Sequence, residues 1–204
     1  MRKERIVFAR GRRVYLRPLD KATDLERCTR WTNDPEVTRY LARCLPMTLL
    51  AEENWFDKQV GRENDFPLAI CTSKGRHIGN IGLHQVDMRL GVGTTGTLIG
   101  EKAFWGKGYG SEAKMLMLAF AFRTLSLRKV YSDVIAFNER SLRYSLGMGH
   151  KVVGRRRDHW YREGRYWDDI LLELFRADWE PLWAEYEATS RWTKVPYEMP
   201  VFER

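Results

Sequence analysis

Two glycine-rich segments carry residue types suited to holding phosphate. Trp105-Gly106-Lys107-Gly108-Tyr109-Gly110-Ser111-Glu112-Ala113 lies between a strand-like segment ending near Gly100 and a long apolar run over residues 113–122. Glycines there let successive backbone N–H groups turn into one concavity, and the helix that follows adds its positive N-terminal end. Such a segment cradles a pyrophosphate. It is not a P-loop, because that motif needs Ser or Thr after its lysine and Lys107 is followed by Gly108. Gly91-Val92-Gly93-Thr94-Thr95-Gly96 fits the dinucleotide fingerprint letter for letter, but a strand follows it where the fingerprint needs a helix. This second segment is expected to be a flexible hairpin loop.

Other chemistry-bearing residues are scattered. His77, His84, His150 and His159 show no ligand spacing with one another, so no metal is expected. Cys28, Cys44 and Cys71 are odd in number and far apart, which suits reduced packing residues better than a disulfide framework. Thirty-five Lys and Arg against 27 Asp and Glu give a formal charge of +8, a long-range field that favours phosphate-bearing partners. That field alone does not separate nucleic acid from a phosphorylated cofactor. The basic residues are spread along the chain except at Arg155-Arg156-Arg157. No apolar run approaches the ~18 residues a membrane span needs, and residues 1–13 carry charges where a signal peptide would be apolar. A cytoplasmic protein without membrane contact is expected.

The elements that must position the glycine segment follow from periodicity and turn residues. The chain has 204 residues, 44% of them hydrophobic, enough for one well-buried core. Residues 14–19 form a first strand ahead of a helix over 20–31. Pro35 and Glu36 open a second short helix, and Thr48 caps a third over 48–60 with Leu49, Leu50, Trp55, Phe56 and Val60 as apolar positions. Segments 67–72 and 77–86 pair as a hairpin, 95–99 is another strand, and the run 113–122 is too uniformly apolar for a surface helix. A strand over 129–136, a helix over 139–146 and a closing hairpin of 151–161 with 166–175 complete the order. The expectation is an α+β domain over residues 1–176, a mixed and largely antiparallel twisted sheet flanked by helices. Residues 177–204 form a tail with Trp179, Trp183, Tyr186, Trp192, Tyr197 and Phe202. That many aromatics must pack on the domain or cover a partner subunit, which would make a homodimer.

The sequence resembles the GNAT N-acetyltransferase superfamily, in its branch of ribosomal-protein alanine N-acetyltransferases and spermidine N-acetyltransferases. The resemblance runs from Tyr15-Leu16-Arg17-Pro18-Leu19 through Trp31-Thr32-Asn33-Asp34-Pro35-Glu36-Val37 and Gly79-Asn80-Ile81-Gly82-Leu83-His84. It is strongest over residues 104–113 and extends to Asn138, Ser141 and Gly149. It implies a GNAT fold with acetyl-coenzyme A as cosubstrate. The coenzyme's pyrophosphate would sit on the backbone of Gly106, Lys107, Gly108, Tyr109, Gly110 and Ser111, and its pantetheine arm along Leu98, Ile99 and Gly100. Asn138 and Ser141 match later coenzyme contacts. The phenylalanine that usually follows the glycine at 149 is replaced by His150, a change expected to alter packing. The family's tyrosine acid falls at Ser145 in this register, with Tyr144 one residue early.

Transfer of an acetyl group needs an unprotonated amine, and an alkylamine with pKa about 10.4 is neutral in roughly one molecule per thousand at neutral pH. A base must therefore act, and the resemblance makes His84 the leading candidate, with Tyr144 as the candidate acid. Arg39, Tyr40 and the strand from Arg155 to Trp160 are expected to line the acceptor side. A primary amine on a protein N-terminus, aminosugar, polyamine or antibiotic would fit, and a net basic protein favours the peptide or an anionic sugar over a free polyamine. Two other readings stand beside this one. The first is a coenzyme A-binding module without turnover. The second is an RNA binder through Arg155, Arg156, Arg157, Trp160 and Tyr161, although a nucleic-acid partner is the less favoured reading.

Overall fold

The computed structural model describes residues 6–201, so Phe202 lies outside the described residues. Eight strands form one sheet in the order β1-β2-β3-β4-β5-β6-β8-β7. They are β1 (Ala9–Arg10), β2 (Val14–Pro18), β3 (Phe66–Thr72), β4 (His77–Asp87), β5 (Val92–Ile99), β6 (Lys129–Ile135), β7 (Lys151–Arg162) and β8 (Arg165–Phe175). All neighbours are antiparallel except β5 and β6, which pair in parallel only from Val92↔Lys129 to Thr94↔Tyr131. Beyond Thr94 the two strands diverge, and a concavity opens in the wedge between them.

Helices cover both faces. They are α1 (Lys21–Thr32), α2 (Pro35–Thr38), α3 (Leu49–Gln59), α4 (Tyr109–Ala119), α5 (Glu139–Leu146) and α6 (Arg176–Thr189). Four begin where a short polar side chain satisfies an orphan amide: Asp20 accepts from Ala22 N at 3.0 Å, Asp34 from Glu36 N at 3.0 Å, Thr48 from Ala51 N at 3.1 Å and Asn138 from Ser141 N at 3.1 Å. The apolar run in α4 is buried nearly all round, with Met115, Leu116, Met117 and Leu118 packed against Leu16, Ile70, Ile81 and Leu83 of the sheet. It ends in a widened turn over residues 120–124, where Leu125 N donates to Phe120 O at 3.0 Å. Trp179, Leu182 and Tyr186 of α6 join the same core. On the other face Cys28 and Trp31 of α1 pack with Val37 and Phe56. A buried polar joint fixes α1 there: Asp24 accepts from both Arg17 Nη atoms at 2.6 and 2.7 Å and lies 2.9 Å from His77 Nδ1.

Two expectations are corrected. Residues 91–96 are not a flexible loop, because β5 begins at Val92 and pairs with β4 from Asp87↔Val92 upward. Gly91, at φ 65°, ends the turn, whereas Gly93 sits in a tight spot: a Cβ there would press on Leu83 Cδ1 at 3.1 Å and Val86 Cγ2 at 3.3 Å. Leu49 and Leu50 of α3 and Val60 just after it are exposed, since the helix rests on α1 through Phe56 and Trp55 alone among its expected apolar positions. The closing hairpin turns through Glu163 and Gly164, both at positive φ (53° and 80°), the geometry a two-residue turn requires.

Candidate active site

The wedge between β5 and β6 opens into a cleft of about 670 Å³. Its walls come from β5 (Thr95 to Ile99), β6 (Ser132 to Ile135), the start of α4 and one side of α5. Three hydrogen bonds reveal which β5 backbone groups face it. Ser132 Oγ donates to Thr95 O at 3.3 Å, Trp105 Nε1 donates to Ile99 O at 2.6 Å, and Gly100 N donates away, to Ile78 O at 3.0 Å. Backbone groups alternate along a strand, so Thr97 and Ile99 present their amides to the cleft while Leu98 and Gly100 pair with β4.

At the open end, Gly106 and Gly108 adopt positive φ (69° and 80°) and bend the chain into α4. Among the described residues no protein acceptor takes the N–H groups of residues 106–111. These amides converge at a helix N-terminus, the arrangement that binds a pyrophosphate. Arg13 stands beside them, donating from Nη1 to Lys107 O at 2.8 Å and stacking 5.1 Å from the Tyr109 ring centroid. Glu112 holds Arg13 there through a 3.2 Å contact to Nε, and its buried carboxylate also accepts Arg12 N at 2.6 Å and the Tyr186 hydroxyl at 2.9 Å. The residues present thus fit the diphosphate of coenzyme A.

At the closed end, Tyr144 reaches down from α5 with its hydroxyl 3.2 Å from Thr97 Oγ1 and 3.4 Å from Gly110 O. Burial pushes its phenol well above the ordinary range, with Thr97 opposing the shift only in part. Lys114 is 1% exposed, hydrogen-bonds Thr95 Oγ1 and lies 5.8 Å from the Tyr144 ring centroid. Burial pulls its ammonium down to about 7, against the attraction of Asp133. Asp133 and Asp169 line the same cleft. The register Asp133↔Leu171 and Ile135↔Asp169 puts the two carboxylates on one sheet face, diagonal to each other. Desolvation and the Asp169 charge raise the Asp133 carboxyl, and Arg156 and Lys114 oppose the shift. Asp169 itself is held by Arg156 Nη1 at 2.7 Å.

Of the residues singled out in the sequence, the cleft brings together Leu98, Ile99, Gly106, Gly108, Tyr109, Gly110, Ser111, Asn138, Ser141, Tyr144 and Tyr40. Four stand off its walls. Gly100 lies under the Trp31 ring, so close that a Cβ would overlap it. Lys107 is exposed and offers its carbonyl to Arg13. Arg39 pairs with Glu163 at 2.6 Å and stacks on Tyr40 and Phe137. His84 is partly exposed near the end of β4, 3.5 Å from Asp65, and is not among the residues lining the cleft. Two of the three consecutive arginines are engaged, Arg155 with Asp168 at 3.2 Å and Arg156 with Asp169, which leaves little of a free basic patch.

Sequence reasoning missed Arg13, Lys114, Asp133, Asp169 and Arg140. Lys114 had a visible signal, a lone charge inside the apolar run 113–122. Asp133 had another, a carboxylate between the buried residues Ser132 and Val134. The tail also returns to the site: Trp192, Lys194 and Tyr197 line the cleft, and Val195 N donates to Gly147 O at 3.2 Å.

Comparison with known proteins agrees with this geometry. The acetyltransferase (GNAT) domain family matches residues 13–151. An uncharacterized N-acetyltransferase, p20 of Bacillus licheniformis, is 25% identical over 82% of this chain and 95% of its own length. The crystal structure of spermidine N-acetyltransferase from Vibrio cholerae, in complex with CoA and spermine, superposes with a TM-score of 0.77, 18% identity, and coverage of 82% of this chain and 98% of that one. A GCN5-related N-acetyltransferase from Brucella melitensis gives 0.74 with 23% identity, covering 92% of this chain and 86% of its own. The strand wedge, the free amides at the start of α4 and the family match over most of the chain have one meaning: the protein belongs to the GNAT acetyltransferase family and is an acetyl-CoA-dependent acyltransferase.

Proposed function

We propose that the protein transfers acetyl to a primary amine, with the coenzyme's diphosphate on the amides of residues 106–111 and its arm along Thr97 and Ile99. The observation that carries this reading is the set of unpartnered amides at the head of α4, open to a wedge whose closed end holds ionisable groups. Bound there, acetyl-CoA supplies the activated thioester. Asn138 caps α5 through Ser141 N at 3.1 Å, and both residues border the coenzyme side.

The acceptor enters from the side bounded by Tyr40, Leu41, Ala42, Trp160 and Asp133. Asp133 takes its proton, in preference to His84, because Asp133 lies on the cleft wall and its raised carboxyl is a stronger base than an ordinary aspartate. Backbone amides of Thr97 and Ile99 face the carbonyl oxygen that gains charge. The Vibrio cholerae protein binds spermine, but here Arg140 lines the cleft, 5.1 Å from the Tyr40 ring centroid, and Arg162 borders the acceptor side, donating to Ala42 O at 2.7 Å. That charge balance favours an amine attached to a neutral or anionic body, such as a peptide N-terminus, over a polycation.

Free-thiol release from acetyl-CoA with a panel of peptides, aminosugars and polyamines tests the proposal. Turnover with at least one amine, strongest for peptides, is expected. Coenzyme binding without turnover on any amine would contradict it and leave a binding module.

A further inference from the structure

We infer that Lys114 is the acid of the reaction, its ammonium at the closed end of the cleft giving a proton to the sulfur as the thioester breaks. The inference rests on the coenzyme reading above. Lys114 sits in the first turns of α4 between the core residues Ala113 and Met115, yet its side chain lines the cleft and hydrogen-bonds Thr95 Oγ1. An ammonium so far from water costs several kcal/mol unless an anion compensates, and an aliphatic side chain would fill the position at no such cost. The groups that face it are Asp133 from β6, Tyr144 from α5 and His150 at the start of β7, with Asp169 of β8 beyond Asp133.

None of these neutralises Lys114 at contact distance among the described residues. Asp133 attracts it but forms no ion pair with it, and Asp169 is held by Arg156. His150 is buried with both ring nitrogens unpartnered, and burial with the Lys114 charge keeps its pKa far below the ordinary value, so it stays neutral. A transient anion that arises in the cleft completes the charge balance, and the departing thiolate is such an anion. The step balances: the amine nitrogen bonds to the carbonyl carbon, the carbon–sulfur bond breaks with its electron pair on sulfur, and Lys114 Nζ–H gives sulfur its proton. The proton shed by the amine goes to Asp133, and exchange through cleft water returns it to Lys114. Tyr144 suits this role less well, because its buried phenol holds its proton far more tightly than a thiol of pKa about 8.5. Lys114, pulled down to about 7, can give a proton to that thiolate downhill.

The test reads the ionisation of bound CoA from the ultraviolet absorbance of its thiolate, on the native chain, Lys114→Met, Lys114→Gln and Tyr144→Phe, with thermal melts to verify folding. Lys114 and the bound thiol titrate as a coupled pair, so thiolate absorbance is expected to appear a few tenths of a pH unit lower, about two- to threefold in ionisation constant, on the native chain than on either Lys114 variant. Tyr144→Phe should match the native chain. Equal thiol titration on the native chain and a folded Lys114 variant that binds CoA overturns the inference and leaves the coenzyme site standing. Failure of the folded native chain to bind CoA overturns both.

Discussion

The buried Glu112 carboxylate lies 3.2 Å from Arg13 Nε and so ties the turn between β1 and β2 to the first turn of α4, beside the free amides. Glu112 also accepts from Tyr186, which makes one carboxylate the junction of three segments distant in sequence. Arg13→Ala should weaken CoA binding about five- to tenfold in calorimetry while the melting temperature moves little, because the guanidinium is half exposed and its gain comes from a phosphate. Tyr186→Phe should do the reverse, lowering unfolding free energy by about 1–2 kcal/mol in denaturant titration with CoA affinity retained.

Asp133→Asn should lower kcat by about 10² to 10⁴ with the KM for acetyl-CoA nearly unchanged, whereas His84→Ala should leave kcat within about twofold. The pH profile adds a sign. Asp133 acts deprotonated and its carboxyl is raised by desolvation and by Asp169, so the acid limb should lie above that of an ordinary aspartate. Asp169→Asn removes the neighbouring charge and should move that limb to lower pH. A limb that does not move with Asp169→Asn, or a large loss from His84→Ala, would return the base to His84.

Asp24→Asn should cost about 3–5 kcal/mol of stability at neutral pH, since it leaves the Arg17 guanidinium without its bidentate partner in a buried site. Burial pushes the Asp24 carboxyl up, but the bonds from Arg17 and His77 outweigh it and hold the carboxyl far below the ordinary value. A depressed folded pKa means the contribution is fully present above the unfolded value of about 3.9 and is lost as pH falls below it. Denaturant titrations from about pH 5 down to about pH 2 should therefore show stability falling steeply below about pH 4 in the native chain and less steeply in Asp24→Asn.

Gly100→Ala should destabilise by about 1–3 kcal/mol, because the added methyl would overlap the Trp31 ring, itself hydrogen-bonded to Glu101 at 3.1 Å. Thermal melts of Gly100→Ala with and without Trp31→Phe would measure the coupling. A loss equal in both backgrounds would separate Gly100 from Trp31.

What was legible in the sequence was local. The cap at Thr48, the helix start at Pro35, the turn at Glu163-Gly164 and the glycine bend from Gly106 to Gly108 act within a few residues of themselves, so their spacing carries their geometry. The closed end of the cleft was hidden because it is assembled across strands. Asp133 and Asp169 meet only through the β6–β8 register, and Thr97 faces the cleft only because β5 and β6 separate after Thr94. His84 looked suitable by residue type, yet strand alternation and the course of β4 leave it beside Asp65. Tyr144, one residue out of the expected register, still brings its hydroxyl to Thr97.

The central claim is that main-chain amides at the head of α4 hold the coenzyme, and removing one amide tests it most directly. Ser111→Pro deletes a single N–H in the first turn, where proline is tolerated and the preceding Gly110 accepts its steric demand, while Ser111→Ala removes only the hydroxyl. In calorimetric titration with CoA, Ser111→Ala is expected to bind like the native chain and Ser111→Pro at least about tenfold more weakly, with both folded. Native-like affinity in Ser111→Pro, or no affinity in the folded native chain, would contradict the account.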